Sequence, residues 1–388
     1  MKRVGVIGGG QLALMMADAA KKLNLELVVQ TPNRNDPAVG RANDVVFASV
    51  DSAIATGILA EKCDVITFEN EFVDLEALSV LANKGVCFRP RIEALAPLLD
   101  KYDQRCYLRD LGLPVPKFFN IDRYKSAQEK SLKSQVAELG FPVVLKARRH
   151  GYDGQGTFII NDFNELLRRL DFENIKSPRS QPLFLLEEFI PFERELAIIA
   201  ARSVSGEVVA YPVVETQQEE QVCRRVIAPA SLAEEVVVEI DKIAQILLNS
   251  LEAVGIFGIE LFLTVDGKVL VNEIAPRTHN SGHFSLDACS ISQFEQHLRA
   301  VCGLPLGSPA LICAGAVMVN LLGYDGEREY QSKLENISKI PKAHFHWYGK
   351  TESRPGRKLG HVTVLLDNNN REQALAIAKS VELIWYHN

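Results

Sequence analysis

Two alternating runs, Glu260-Leu261-Phe262-Leu263-Thr264-Val265 and Lys268-Val269-Leu270-Val271-Asn272-Glu273, flank Asp266-Gly267, and no other stretch constrains the chain as tightly. Asp-Gly between β-prone runs is a strong signal for a two-residue hairpin, because both central positions need a left-handed backbone that these residues tolerate. Each residue of such a hairpin faces the one equally far beyond the turn, which sets Glu260 opposite Glu273. Directly opposed side chains have Cβ atoms only about 4.5 to 5.5 Å apart, and like charges there repel. A divalent cation removes the conflict, and carboxylates held on strands suit Mg2+, with water and phosphate oxygens completing its octahedron. Protonation of one carboxyl, or pairing with a nearby base, is the alternative.

The first hundred residues alternate β-branched runs with helical periodicity. Val4–Ile7, Leu25–Val29, Val65–Phe68 and Val86–Phe88 read as strands, with helices from Leu12 to Leu23 and near 53–62 and 74–83. That pattern predicts an α/β fold with a parallel sheet covered on both faces. The first strand runs into Gly8-Gly9-Gly10-Gln11-Leu12-Ala13, where glycines let the backbone approach a phosphate or ribose and a helix N-terminus offers N–H groups to an anion. A dinucleotide-binding oxidoreductase needs an acid at the end of the second strand, where Gln30-Thr31-Pro32 stands, so NAD is a minority reading beside a turn that merely packs helix on sheet.

Leu113-Pro114-Val115-Pro116 interrupts the pattern and suggests a domain boundary close by. Beyond it come strands at Val143–Lys146, Thr157–Ile160 and Leu183–Ile190, a helix near 162–170, a long helix near 232–253 and the hairpin. Lys146 precedes Arg148, Arg149 and Gly151-Tyr152-Asp153-Gly154-Gln155-Gly156-Thr157, a flap whose amides can close over phosphates that Lys146 neutralises. After the hairpin, Ala275-Pro276-Arg277-Thr278-His279-Asn280-Ser281-Gly282-His283 supplies an arginine fork, an imidazole and an amide within reach of an anion. Lys350, Arg354, Arg357 and Lys358, with Glu352 the only acid among them, form either a phosphate site or a solvated basic loop.

Composition limits the partners. With 388 residues two or three domains are expected, and 43 Lys+Arg against 49 Asp+Glu leave a net charge of −6 and no general attraction for nucleic acid or anionic lipid. The seven cysteines contain no C-x-x-C pair, which fits reduced thiols, and no 18-residue apolar run exists to span a bilayer. Three glycines interrupt the apolar stretch after Met1-Lys2-Arg3, arguing against a signal peptide, so a cytoplasmic location is expected.

These motifs together resemble the ATP-grasp superfamily and, within it, the N5-carboxyaminoimidazole ribonucleotide synthetase family. The resemblance covers essentially the whole chain. It rests on Gly8 to Leu12, Thr67-Phe68-Glu69-Asn70-Glu71, Lys146 with the flap, Asn272-Glu273, Ala275 to His283, Ser290-Ile291-Ser292-Gln293-Phe294-Glu295 and Arg354-Pro355-Gly356-Arg357-Lys358-Leu359-Gly360-His361. The flap marks only the superfamily; the 275–283 and 354–361 stretches mark the family. It implies three domains: a preATP-grasp sheet over 1–112, a small lid over 113–190, and a larger domain over 191–388, with a C-terminal α/β tail, that holds ATP against the lid. Lys101, Lys146, flap residues Gly151, Tyr152, Asp153, Gly154, Gln155, Gly156 and Thr157, hinge residues Glu187, Glu188, Phe189 and Ile190, and Glu195, Gln218, Asn272 and Glu273 would contact ATP. Glu260 and Glu273 would bind Mg2+. Arg277, His279 and Asn280 would hold bicarbonate and its phosphorylated product, with His279 a candidate proton acceptor. Gln11, Glu71, Tyr152 and Asp153 would line the aminoimidazole and ribose, Glu69 being an equal candidate to Glu71, and Lys350, Arg357 and Lys358 would hold the 5′-phosphate.

The implied reaction is carboxylation of the exocyclic amine of 5-aminoimidazole ribonucleotide through carboxyphosphate, by a homodimer. Lys101 is often arginine in relatives, and Ala275 stands where many other ATP-grasp enzymes carry a metal-binding Asn. The absence of a mutase-type domain implies a separate protein for conversion to the C4-carboxylated isomer. Alternatives are another ATP-grasp ligase, such as the formate-dependent glycinamide ribonucleotide transformylase, and a non-catalytic nucleotide-binding regulator.

Overall fold

The computed structural model describes residues 1–121, 129–149, 156–176, 183–324 and 330–386, with side chains at 172–176 left aside. Gly151, Tyr152, Asp153, Gly154 and Gln155 of the expected flap therefore lie outside the described residues. Three sheets organise the rest.

The first sheet is parallel, in the order β3-β2-β1-β4, from β1 (Arg3–Ile7), β2 (Glu26–Thr31), β3 (Asp44–Phe47) and β4 (Val65–Phe68). One face packs on the helix Gln11–Lys22 through Leu12, Met15 and Met16, the other on helices Ala53–Lys62 and Leu75–Asn83 through Leu59 and Leu78. Val86–Phe88 is not a strand: only an isolated bridge joins Phe88 to Ile66. Gln30 is fully buried, with its amide on Ser49 O at 2.7 Å and its carbonyl accepting from Thr56 at 2.9 Å, so the position where a dinucleotide fold needs an acid is packing.

The second sheet is antiparallel, in the order β5-β8-β6-β7, from β5 (Phe118–Ile121), β6 (Val143–Ala147), β7 (Thr157–Ile160) and β8 (Phe184–Glu188). Leu132 and Val136 from one helix and Leu166 and Leu170 from another cover its apolar side. The third sheet has nine strands. Its path runs β14-β13-β9-β11-β12-β15-β17-β16, with β10 (Val208–Ala210) paired to β9. These strands are β9 (Phe192–Arg202), β11 (Val214–Glu219), β12 (Val222–Ala228), β13 (Gly255–Thr264), β14 (Val269–Ala275), β15 (Gly315–Leu322), β16 (Ala343–Trp347) and β17 (Lys358–Leu366).

The helix Gln293–Cys302, capped by Ser292 accepting from the Glu295 N–H at 3.2 Å, buries Phe294, Leu298 and Val301 against the first helix. Each such side chain contributes roughly 1.5 to 3 kcal/mol. This contact joins the first sheet to the third and brings the glycine turn beside the hairpin. No described helix is long and apolar enough to cross a membrane.

Candidate active site

The hairpin reaches the expected pairing by a different route. Its loop has three residues, Val265-Asp266-Gly267, closed by the Thr264 N–H on Lys268 O at 2.9 Å, with Gly267 at φ +80°. Near the loop the pairs are Leu263 with Val269 and Leu261 with Val271, one position away from a two-residue register. A β-bulge then makes Asn272 an extra residue and restores Glu260 opposite Glu273. The bulge also re-aims Asn272 toward the glutamate side. Its Oδ1 accepts from Lys146 Nζ at 3.1 Å, and its Nδ2 lies 3.5 Å from Glu260 Oε2.

The two carboxylates have unequal surroundings. Burial, then Glu273 and Glu195, push Glu260 up to about 7. Burial also opposes ionisation of Glu273, but Lys101, Lys146 and Arg105 outweigh it and hold that carboxyl below its ordinary range. Lys101 opens the helix Lys101–Asp110, whose N-terminus Asp100 caps at Tyr102 N (2.9 Å), and forms an ion pair with Glu273. Lys146 is clamped between Glu187 at 2.6 Å and Asn272, while Arg105 grips the other oxygen of Glu187. Burial lowers the Lys146 pKa, with Glu187 opposing. Burial works against the Glu187 charge too, yet Arg105 and Lys146 hold it down at about 2. Glu195 is pushed up to about 7 by burial, against a hydrogen bond from Gln218 and the Lys146 charge.

The segment after β14 lies directly against these groups. Arg277 pairs with Glu71 at 2.7 Å, and His279 Nε2 lies 3.4 Å from Glu260 Oε1. Gln293 holds the His279 backbone at both ends, accepting from its N–H at 2.9 Å and donating to its carbonyl at 2.7 Å. Opposite, β13 carries Gly258 because a Cβ there would sit 2.5 Å from His279 Cβ. Asn280 exchanges amide hydrogen bonds with Asn320, at 2.7 and 3.0 Å.

At the glycine turn, read from sequence as either an anion or ribose site or a packing turn, the structure places a side chain of the chain itself. A Cβ on Gly8 or Gly10 would come within 2.5 or 2.4 Å of the chain's own Glu69 carboxylate. The glycines therefore make room for Glu69, which burial pushes up to about 7 despite Arg277 nearby.

One cavity of about 620 Å³ unites the site. Gln11, Glu69 and Glu71 line it from the first sheet, Lys101, Arg148, Arg149 and Thr157 from the lid side, and Gln218, Glu260, Glu273, Arg277, His279 and Asn280 from the third sheet. Lys350, Arg354, Arg357 and Lys358 also line it; Lys350 Nζ donates to Lys358 O at 2.7 Å and Arg357 lies 3.2 Å from Glu352. Lys146, Gly156, Glu187, Glu188, Phe189, Ile190, Glu195 and Asn272 are not on the cavity wall. Lys146 lies behind the wall, bonded to Asn272, which in turn sits 3.5 Å from the wall residue Glu260; Glu187 is turned into the Arg105 ion pair, and Glu188 Oε1 accepts from Lys117 N at 2.7 Å.

Sequence reading missed Arg105, whose partner is distant in the chain. It also left the role of Arg148 and Arg149 open, and both turn to Asp100, at 2.8 and 3.3 Å. Gln104 was missed as well; its amide donates to Ile274 O at 3.1 Å and accepts from Ile274 N at 2.9 Å, fixing the strand beside Glu273. Outside the cavity wall, Asp287, His346 and His361 place ligand atoms within 4.8 Å of one another. The two rings are only 14° from parallel with centroids at 4.6 Å, so their lone pairs run side by side and do not converge on one ion.

Three family models match in chain order: a ribonucleotide synthetase preATP-grasp domain over residues 1–97, an ATP-grasp domain over 106–294, and a phosphoribosylaminoimidazole carboxylase C-terminal domain over 316–375. The N5-carboxyaminoimidazole ribonucleotide synthase of Synechococcus elongatus is 53% identical over 390 residues, covering 99% of this chain and 96% of that protein. The crystal structure of an ADP complex of N5-carboxyaminoimidazole ribonucleotide synthetase superposes with a TM-score of 0.88 at 37% identity, covering 99% and 97% of the two chains. The Aspergillus clavatus synthase, crystallised with ADP and 5-aminoimidazole ribonucleotide, gives 0.87 at 30% identity, covering 99% and 98%. The chain belongs to the N5-carboxyaminoimidazole ribonucleotide synthase family of ATP-grasp enzymes.

Proposed function

We propose that this chain uses ATP and bicarbonate to carboxylate the exocyclic amine of 5-aminoimidazole ribonucleotide, giving the N5-carboxy product, ADP and phosphate. The observation that carries the reading is that three groups line one cavity: the Lys101, Glu260 and Glu273 cluster, the Arg277, His279 and Asn280 segment, and the Lys350 to Lys358 cations. The first two are in direct contact, His279 Nε2 lying 3.4 Å from Glu260 Oε1. That set suits a nucleotide γ-phosphate, a small anion and a ribonucleotide 5′-phosphate.

A bicarbonate oxygen attacks the γ-phosphorus and the bond to the ADP oxygen breaks, giving carboxyphosphate. Lys101 and Lys146 neutralise phosphate charge from the lid side, since positioning and electrostatics are most of what phosphoryl transfer needs. Arg277 exchanges Glu71 for the bicarbonate or carboxyphosphate anion, a bidentate partner of the same geometry. The substrate amine then attacks the carboxyl carbon of carboxyphosphate, or the CO2 it releases; phosphate leaves and the amine gives up a proton, for which His279 is placed as acceptor. Gln11, Glu71 and Glu69 face the aminoimidazole and ribose, with Tyr152 and Asp153 of the flap as further contacts, and Lys350, Arg357 and Lys358 take the 5′-phosphate. The hinge Glu187 to Ile190 offers backbone groups to adenine, with Glu195 and Gln218 toward the nucleotide.

The donor set fits a magnesium ion: two opposed carboxylates, one of them pushed up by burial and by its neighbour's charge, form a site that a hard cation relieves. Glu260 and Glu273 would hold it, and bound there it supplies charge neutralisation to the transferring phosphoryl group. A homodimer, a cytoplasmic location and domain limits at 112/113 and 190/191 complete the reading.

Phosphate release measured with bicarbonate and with aminoimidazole ribonucleotide omitted in turn tests it. Turnover should need both, and equal rates with formate plus glycinamide ribonucleotide would sink it.

A further inference from the structure

Strand β15 is wholly buried, and its sequence Gly-Ala-Val-Met-Val-Asn-Leu-Leu contains one polar side chain, Asn320, with 0% exposure. An amide in such a strand is costly unless its hydrogen bonds are made. Those it makes lead to the catalytic segment. Asn320 Nδ2 donates to Cys223 O at 2.9 Å and to Asn280 Oδ1 at 2.7 Å, and Asn320 Oδ1 accepts from Asn280 Nδ2 at 3.0 Å.

A backbone carbonyl can only accept, so Cys223 O fixes which end of the Asn320 amide carries the nitrogen. That end in turn dictates the orientation of Asn280: its carbonyl must receive one Asn320 N–H, and one of its own N–H groups must return the bond. The second N–H of Asn280 has no protein acceptor among the described residues, and Asn280 lines the cavity. Rotating the Asn280 amide by half a turn would exchange donor for acceptor and set an oxygen where an anion binds.

We propose that Asn320 is a positioning residue for bicarbonate activation: it holds Asn280 with an N–H, and not a carbonyl oxygen, toward the anion. The inference rests on the reading above that Asn280 contacts bicarbonate or carboxyphosphate. Asn320 touches neither substrate; it acts through Asn280 alone.

The test is steady-state kinetics on the full chain for N320D, N280A and the double variant N280A/N320D, with KM determined separately for bicarbonate, ATP and the ribonucleotide. The carboxylate that N320D introduces has the shape of the amide it replaces but cannot donate to Cys223 O or to Asn280. N320D should raise the bicarbonate KM by about tenfold, the scale of one misdirected hydrogen bond to an anion, and leave the ATP KM within about twofold. Because Asn320 acts through Asn280, the double variant should match N280A, whereas a residue that only maintains the fold would add its own loss. Should N320D fail to fold, N320A removes both bonds to Asn280 without burying a charge, and the same selective rise is expected. An additive double variant, or equal rises in all three KM values, overturns the positioning role and leaves the assignment of Asn280 intact. An unchanged bicarbonate KM in N280A overturns both.

Discussion

Glu187→Gln isolates the charge arrangement that holds the lid strand β8 to the helix Lys101–Asp110. The carboxylate is 2% exposed and shared by two cations, Arg105 and Lys146. Its pKa falls from an ordinary 4.5 to about 2. At about 1.4 kcal/mol per pH unit, the ionised carboxylate contributes on the order of 3 kcal/mol to the folded state. Removing one partner of a buried ion cluster costs a comparable 3 to 5 kcal/mol, because the charges left behind stay desolvated. The pKa is depressed in the folded protein, so this stability is fully present above pH 4.5 and is lost as pH falls toward 2. For a unit of 150 to 250 residues, a loss of about 3 kcal/mol lowers the melting midpoint by roughly 6 to 12 °C. Thermal unfolding of both proteins across pH should show that gap at pH 7 and less than half of it near pH 3. A variant as stable as the parent at pH 7, or a gap that does not shrink in acid, would refute the reasoning.

Three further outcomes are expected. Glu273→Gln should abolish Mg2+-dependent turnover and weaken Mg2+ binding measured by calorimetry while the circular dichroism spectrum stays unchanged; retained binding would remove Glu273 from the metal site. Glu69 has a pKa raised to about 7, so the folded protein is penalised as pH climbs from 4.5 through 7; Glu69→Gln should flatten that decline, and parallel stability–pH curves would contradict it. Gly258→Ala puts a methyl 2.5 Å from His279 Cβ and should lower kcat at least tenfold with ATP affinity, read by calorimetry, unchanged; a fall in ATP affinity of the same size would point to general disruption.

The elements with a clean period were legible. Gln11–Lys22 follows directly from its apolar spacing, and Val65–Phe68 and Thr157–Ile160 from their short β-prone runs. Val86–Phe88 carries the same apolar signal as a strand, but it meets its neighbour only through the bridge at Phe88, and that is decided by the path of the chain on either side. The glutamate pairing was also legible, through two irregularities that cancel. A three-residue loop shifts the register by one and the bulge at Asn272 shifts it back, and the bulge has no local signature. The glycine turn stayed open between a ligand site and a packing turn because Glu69, the side chain it encloses, arrives some sixty positions later. Arg105 and Asn320 share that difficulty: each takes its meaning from a partner that only the tertiary fold supplies.

The central claim is that bicarbonate is phosphorylated by ATP before its carbon reaches the amine. Turnover with [18O]bicarbonate, followed by mass spectrometry of the released phosphate, tests it directly. One bicarbonate oxygen bonds to phosphorus and stays there when the carboxyl group leaves, so one 18O should appear in each phosphate. Phosphate carrying no label, with the label wholly in the carboxylated product and water, would contradict the account.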